Sequence, residues 1–198
     1  MKHPLKCRCG TLAGFVDRPE RANRVICYCR DCQSFAHFLG RTEEILDVHG
    51  GTDILQVISA NVQLTEGSDA LACMRLSERG LLRWYAQCCN TPIGNTLANP
   101  GLAFIGLVHT CLDAAGESLD ASFGPVRMRA FTRSGKGAVA SSRLDLVRGA
   151  LRFVILLIRA RLDGSHRRNP FFVPQTNVPI VTPLILTADE RDRLRRAL

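Results

Sequence analysis

Nine cysteines lie in the 198-residue chain, and five of them fall within its first 32 positions. Cys7 and Cys9 form C-x-C in "KCRCG", and Cys27, Cys29 and Cys32 form C-x-C-x-x-C in "VICYCRDCQSF". Cys88 and Cys89 are adjacent in "WYAQCCNTPIGN". Residues two apart on a strand face the same way, so each C-x-C presents two sulfurs to one side. The spacing to Cys32 has the chain turning back after the strand. Crowded thiolates are unfavourable by themselves. A bound Zn²⁺ reverses this, because it favours the deprotonated sulfur and holds four ligands at about 2.3 Å. An odd cysteine count in a chain long enough to build its own core points to metal binding or catalysis rather than a disulfide framework. Of Cys88 and Cys89 one is expected to ligate, since sequence neighbours seldom reach the same ion. Cys73 and Cys111 stand alone in apolar runs and read as small buried hydrophobes.

Other chemistries find little support. No Ser-His-Asp set stands out, and "RSGKGAV" at 133–139 is basic but lacks the spacing of a phosphate-binding loop. His37, His49, His109 and His166 are scattered and read as surface or internally satisfied. His37, five residues past Cys32, is the first candidate for a fourth ligand.

The elements that must position these sulfurs are mainly β. Thr11–Asp17, Arg24–Tyr28, Asp53–Ser59, Leu71–Leu76, Leu81–Ala86 and Leu102–His109 are short, β-branched or aromatic runs separated by turn residues. Cys32–Leu39 predicts one or two helical turns. From Ser141 to Asp163 the period changes: Leu144, Val147, Leu151, Val154, Ile155, Ile158 and Leu162 recur at helical spacing, with Arg148, Arg152 and Arg159 opposite. Ser142 with Asp145 suggests the N-terminal cap and Gly164 the C-terminal one. The apolar face is expected to pack on the β-domain and the arginines to be solvated. The four prolines of "NPFFVPQTNVPIVTPLILT" predict an extended stretch, and Thr187–Leu198 a short closing helix capped by Thr187 and Glu190. The fold expected is a mainly β zinc-bearing domain over 1–135 with a basic helical extension over 136–198.

Apolar residues make up 46% and charged residues 22%, ordinary for a globular protein. The N-terminus has no apolar leader, and the longest apolar run, Phe153–Ile158, is far short of a membrane span. A cytoplasmic protein is expected. The net charge of +8 is concentrated: residues 124–168 carry 11 Lys/Arg against 2 Asp/Glu, whereas residues 1–123 carry 11 against 13. An acidic partner would meet the central segment.

The motifs "CRCG" at 7–10, "CYCRDC" at 27–32 and "CNTPIGN" at 89–95, in that order, resemble the glutathione-dependent formaldehyde-activating (centromere-protein-V-like) family over roughly residues 5–110. The resemblance implies an Mss4-like zinc-bearing β fold with two zinc sites. One is structural, formed by C-x-C-G and a later C-x-x-C-G. The other is catalytic, formed by C-x-C-x-x-C with an open fourth position. Carried over, Cys27, Cys29 and Cys32 fit the catalytic site, and Cys7, Cys9 and Cys89 fit the structural one, with Asn90 replacing the glycine. The remaining structural ligand falls on Ala86, so either Cys88 substitutes or the site is one thiolate short. One or two Zn²⁺ per chain are therefore expected.

The implied activity is thiol/aldehyde chemistry of the carbon–sulfur lyase type, joining glutathione and formaldehyde as S-hydroxymethylglutathione. Three cysteinates on Zn²⁺ leave one net negative charge, which suits holding a thiol better than generating hydroxide. Arg127, Arg129, Arg133 and Lys136 are the nearest basic residues in sequence for recruiting an anionic thiol. The alternative is a non-catalytic, zinc-stabilised module whose basic helix meets nucleic acid or a membrane. The aromatic content of 6% is low for a stacking nucleic-acid binder.

Overall fold

The computed structural model describes residues 1–113 and 118–198. Among the described residues eleven strands form two sheets. The strands are β1 (Lys2–Lys6), β2 (Ala13–Asp17), β3 (Asn23–Cys27), β4 (Thr52–Ile58), β5 (Val62–Glu66), β6 (Leu71–Arg75), β7 (Leu82–Ala86), β8 (Thr91–Thr96), β9 (Phe104–Val108), β10 (Met128–Ala130) and β11 (Leu184–Ile185). The small sheet runs β1-β2-β5, and the large one β10-β3-β4-β9-β8-β7-β6-β11. The interior of the large sheet is antiparallel, and its two edges are closed by short parallel partners, β10 on β3 and β11 on β6. The helices are α1 (Arg30–Leu39), α2 (Thr42–Ile45), α3 (Thr110–Asp113), α4 (Leu119–Phe123), α5 (Arg143–Leu162) and α6 (Ala188–Arg196).

Alternating apolar residues of both sheets meet in one main core, which includes Leu5, Val16, Leu55, Trp84, Ile93, Ile105 and Leu112. Phe171 and Phe172, far along the chain, belong to the same cluster, and the Phe171 ring lies 5.1 Å from that of Trp84. The Trp84 indole N–H donates to Thr96 Oγ1 at 3.0 Å, so its polar edge is satisfied as it is buried. A second cluster packs Phe35, Ala36 and Leu39 of α1 against Met74, Val108 and Leu186.

β8, with the sequence TPIGNT, has every residue buried despite Pro92 and Gly94. A register shift between Trp84 and Tyr85 absorbs the proline, and a Cβ on Gly94 would stand 2.8 Å from the Gly106 carbonyl oxygen. Close approach of backbones, not a turn, explains that glycine.

α5 is capped as its sequence suggests: Ser142 Oγ accepts from the Asp145 N–H at 3.3 Å, and Gly164 follows at φ 73°. At α6 the Thr187–Glu190 capping box forms. The packing of α5 departs from expectation. Its buried residues are Gly149, Leu156 and Ala160, and the stripe of Leu144, Val147, Leu151, Val154, Ile155, Ile158 and Leu162 is exposed. Small residues decide this. A Cβ on Gly149 would lie 2.3 Å from Met128 Sδ, and the Gly149 carbonyl accepts from Asn23 Nδ2 at 3.1 Å. The helix axis comes close to the sheet only on the glycine–alanine side. Among the described residues no helix is long and apolar enough to cross a membrane.

Candidate metal centres

The turn between β1 and β2 carries Cys7 and Cys9, and the turn between β7 and β8 carries Cys88 and Cys89. Trp84 and its neighbours hold these hairpins on one core, and all four sulfurs lie within 4.8 Å of one another. Individual Sγ separations are 3.5 Å for Cys7–Cys9, 3.8 Å for Cys7–Cys88, 3.3 Å for Cys9–Cys88 and 3.8 Å for Cys88–Cys89. Four sulfurs at the Zn–S distance of about 2.3 Å in a tetrahedron stand about 3.8 Å apart, so the set has the donor type and spacing of a closed zinc site.

Adjacency does not keep Cys88 and Cys89 apart: both sulfurs lie in the group of which one was expected to ligate. Asn90, at φ 53°, bends the turn that follows them. Arg41 Nη1 donates to the Cys89 carbonyl at 3.0 Å and fixes that peptide. Ala86 is fully buried at the end of β7, and the sulfur that lies with those of Cys7, Cys9 and Cys89 is that of Cys88. Two hydroxyls line the cluster: Thr11 Oγ1 is 3.3 Å from Cys9 Sγ, and Thr91 Oγ1 is 3.1 Å from Cys89 Sγ. Hydrogen bonds from Thr11 pull the Cys9 thiol down to about 6, whereas partial desolvation, then hydrogen bonds with Cys9 and Cys89, pushes the solvent-exposed Cys88 up to about 12.

The second group is local. Cys27 ends β3, Cys29 is the N-cap of α1, and Cys32 sits in its first turn. Their sulfurs also lie within 4.8 Å of one another, with Cys27 and Cys32 3.8 Å apart. Cys29 Sγ accepts from the Cys32 N–H at 3.4 Å, so the set occupies the positive end of a helix. Among the described residues no His, Asp or Glu donor joins these three. His37 is not a member: five residues beyond Cys32, it projects from another side of α1.

Arg83, which sequence reasoning did not single out, sits beneath this group. It is 1% exposed, its Nη1 donates to Asn95 Oδ1 at 3.1 Å, and its guanidinium lies 5.4 Å from the centre of the Phe35 ring. Its Nε has no hydrogen-bond partner among the described residues. Hydrogen bonds from Cys27 and Cys29, and then the charge of Arg83, hold Cys32 well below the ordinary thiol range. Hydrogen bonds with Cys29 and Cys32, reinforced by burial, push Cys27 up instead. A buried cation is what a three-thiolate metal site, with its net negative charge, needs nearby. The available signal was a lone arginine inside the apolar run "LLRWYA".

The surroundings are braced. Tyr28 Oη donates to Asp47 Oδ2 at 3.0 Å, and Gln33 Nε2 donates to the carbonyls of Tyr28 and Ser134 at 2.8 and 3.0 Å. β10 pairs Ala130 with Cys27, which carries the basic segment alongside the site. Arg129, Arg133 and Lys136 are exposed there. Arg127 is turned elsewhere, with its N–H on the Arg24 carbonyl at 2.9 Å and its guanidinium near Gly124. Two cavities, of about 770 and 800 Å³, lie elsewhere and touch neither cluster.

Cys73 and Cys111 are buried and outside both groups. Burial pushes Cys73 up to about 12, and Cys111 Sγ donates to the Val108 carbonyl at 3.1 Å.

Fold and sites together define a sheet-rich protein with two cysteine groups that could each hold a metal ion. The chain belongs to a family described as "Family of unknown function (DUF6151)", which it matches over residues 1–180. Among curated proteins none matches. Among solved structures, a Rhodobacter sphaeroides protein is similar at 18% identity and a TM-score of 0.43, covering 66% of this chain and 99% of its own. A likeness of that extent carries no argument about function.

Proposed function

We propose that the protein is a zinc-dependent thiol enzyme of the carbon–sulfur lyase type, on an Mss4-like fold, that joins a small thiol such as glutathione to a small aldehyde such as formaldehyde. The observation that carries this reading is the group of three sulfurs at the α1 N-terminus, to which the described residues add no fourth donor. Zinc held there would supply one coordination position for a substrate thiolate, favouring ionisation of a thiol whose free pKa is about 8.5.

The protein's own residues do the rest. Cys27, Cys29 and Cys32 would hold the ion. The helix terminus and Arg83 offset negative charge that would otherwise accumulate as a further thiolate arrives. Arg129, Arg133 and Lys136 offer attraction to the carboxylates of a glutathione-like thiol. Cys7, Cys9, Cys88 and Cys89 form the closed site and take no part in turnover.

Cobalt substitution tests the reading. Adding glutathione to the cobalt-loaded protein is expected to strengthen the thiolate-to-metal charge-transfer absorption, and the response should vanish in Cys29→Ser while the four-sulfur site keeps its metal. Loss of free formaldehyde in the presence of thiol and zinc protein would complete the case. A spectrum indifferent to every small thiol would overturn it.

A further inference from the structure

α5 turns its most apolar side away from the protein. Leu144, Val147, Leu151, Val154, Ile158 and Leu162 are all exposed, reaching 65% at Val147 and 83% at Leu162. At 3.6 residues per turn they fall within an arc of about 80° and run for about 27 Å. Gly149, Leu156 and Ala160, which pack on the sheet, lie on the opposite side. An apolar stripe of that length is seldom left bare on a monomer.

The margins of the stripe are basic. Arg143 and Arg161 flank one side, and Arg148 and Arg159 the other, with Arg152 just behind. Asp145 is the sole acid in the helix. Along the Arg159 margin the helix walls a cleft of about 770 Å³, lined by Arg18, Arg21, Arg152, Arg159 and Arg168 against the acids Asp17, Glu20 and Asp163. Ile155 of the exposed face lines the same cleft, so apolar surface and arginines are continuous.

We propose that α5 docks flat on the surface of an anionic lipid bilayer, with the stripe in the acyl boundary and the arginine margins and cleft on headgroup phosphates. The charge pattern selects this partner. The three-four spacing of the stripe would also suit a second copy of the chain, but pairing two copies would set arginine margins against arginine margins with one acid per helix to relieve them. Nucleic acid would satisfy the arginines and leave the stripe in water, and the stripe contains no aromatic ring to stack on bases. A lipid surface satisfies both, since apolar area and anionic attraction act together in interfacial helices. The inference does not rest on chemistry at the cysteines.

Vesicle flotation with the full-length, metal-loaded protein tests it. Binding is expected to phosphatidylcholine vesicles containing phosphatidylglycerol and not to phosphatidylcholine alone, and it should weaken as salt rises. Arg152→Gln and Arg159→Gln should each reduce partitioning about five-fold. L151S/I158S should abolish it without changing the melting temperature, because both side chains are already exposed in the free protein. Failure to float with anionic vesicles overturns the proposal. So does wild-type binding by L151S/I158S. A concentration-dependent dimer abolished by L151S/I158S, without vesicle binding, would assign the stripe to a second copy. Salt-sensitive DNA or RNA binding indifferent to the stripe, again without vesicle binding, would assign the arginines to nucleic acid.

Discussion

The two cysteine groups solve different problems with the same side chain. The four-sulfur group joins two hairpins whose cysteines are up to 82 positions apart, between Cys7 and Cys89, and two of its members are exposed. The three-sulfur group spans six residues, and two of its three members are buried. Beside the first are threonine hydroxyls and Arg41, which donates to the Cys89 carbonyl and is paired with Glu44. Beneath the second is Arg83, with a helix terminus aimed at it. A complete donor set that ties distant segments together is suited to holding structure. An incomplete set, electrostatically supported from below, is suited to accepting one more anionic ligand. The same four-against-three contrast separates metal sites that are closed from those that are open.

That comparison can be broken at its largest element first. Cys7→Ser is expected to remove one metal per chain and to cause the largest fall in stability, measured by metal analysis and thermal melting. The binding energy of a structural zinc, on the order of 10 kcal/mol in zinc-finger peptides, bounds the loss from above. Cys29→Ser should also remove one metal but melt nearer to wild type, because β3 is paired with β4 and β10 on its two sides and α1 packs on the second apolar cluster. Equal destabilisation by the two variants would erase the distinction.

Arg83→Met comes next. It removes the buried charge at similar length, and the three-sulfur group is expected to lose about 10- to 100-fold in metal affinity, read by competition with a chelator. The four-sulfur group should keep its affinity. A uniform loss at both groups would mean that Arg83 acts only through the core.

Cys88→Ala and Cys89→Ala sharpen the first group. Both sulfurs lie in the cluster, so each variant is expected to weaken metal retention there, measured by the same competition. If either variant is silent, the closed site has three sulfurs and the comparison narrows. The smallest effect is expected at Asn90, whose φ of 53° an alanine would adopt at a cost of about 1 kcal/mol and a glycine without penalty. Urea unfolding of Asn90→Ala and Asn90→Gly should order them accordingly.

Much of this was legible in the sequence because it is local. C-x-C-x-x-C fixes its own geometry: two residues on a strand and a third one helical turn later bring three sulfurs together without help from the rest of the chain. The capping residues Ser142 and Thr187 likewise act within three positions of themselves. Six of the strands showed in β-branched and aromatic runs. The other five did not, four of them for identifiable reasons. β1 contains Pro4, tolerated because the strand is an edge. β8 contains Pro92 and Gly94, residues that read as a turn until the neighbouring backbone is seen to require them. β10 and β11 have three and two residues and exist only through their parallel partners.

The apolar spacing of α5 established that a helix forms and left open which way it faces. Seven apolar side chains suggested the buried face, yet Gly149 and Ala160 gave the closer approach to Met128 and the sheet. Periodicity records that apolar residues share a side, not what covers that side. By itself the sequence determined two sets of thiols, a capped basic helix and a β-rich core. Tertiary structure put the sulfurs of both Cys88 and Cys89 with those of Cys7 and Cys9, where the sequence left the fourth member open, and it alone set Arg83 under Cys32 and turned the α5 stripe outward. Each of these depends on contacts between residues dozens of positions apart, and side-chain spacing along a chain carries no information about which distant segments their shared core will bring into register.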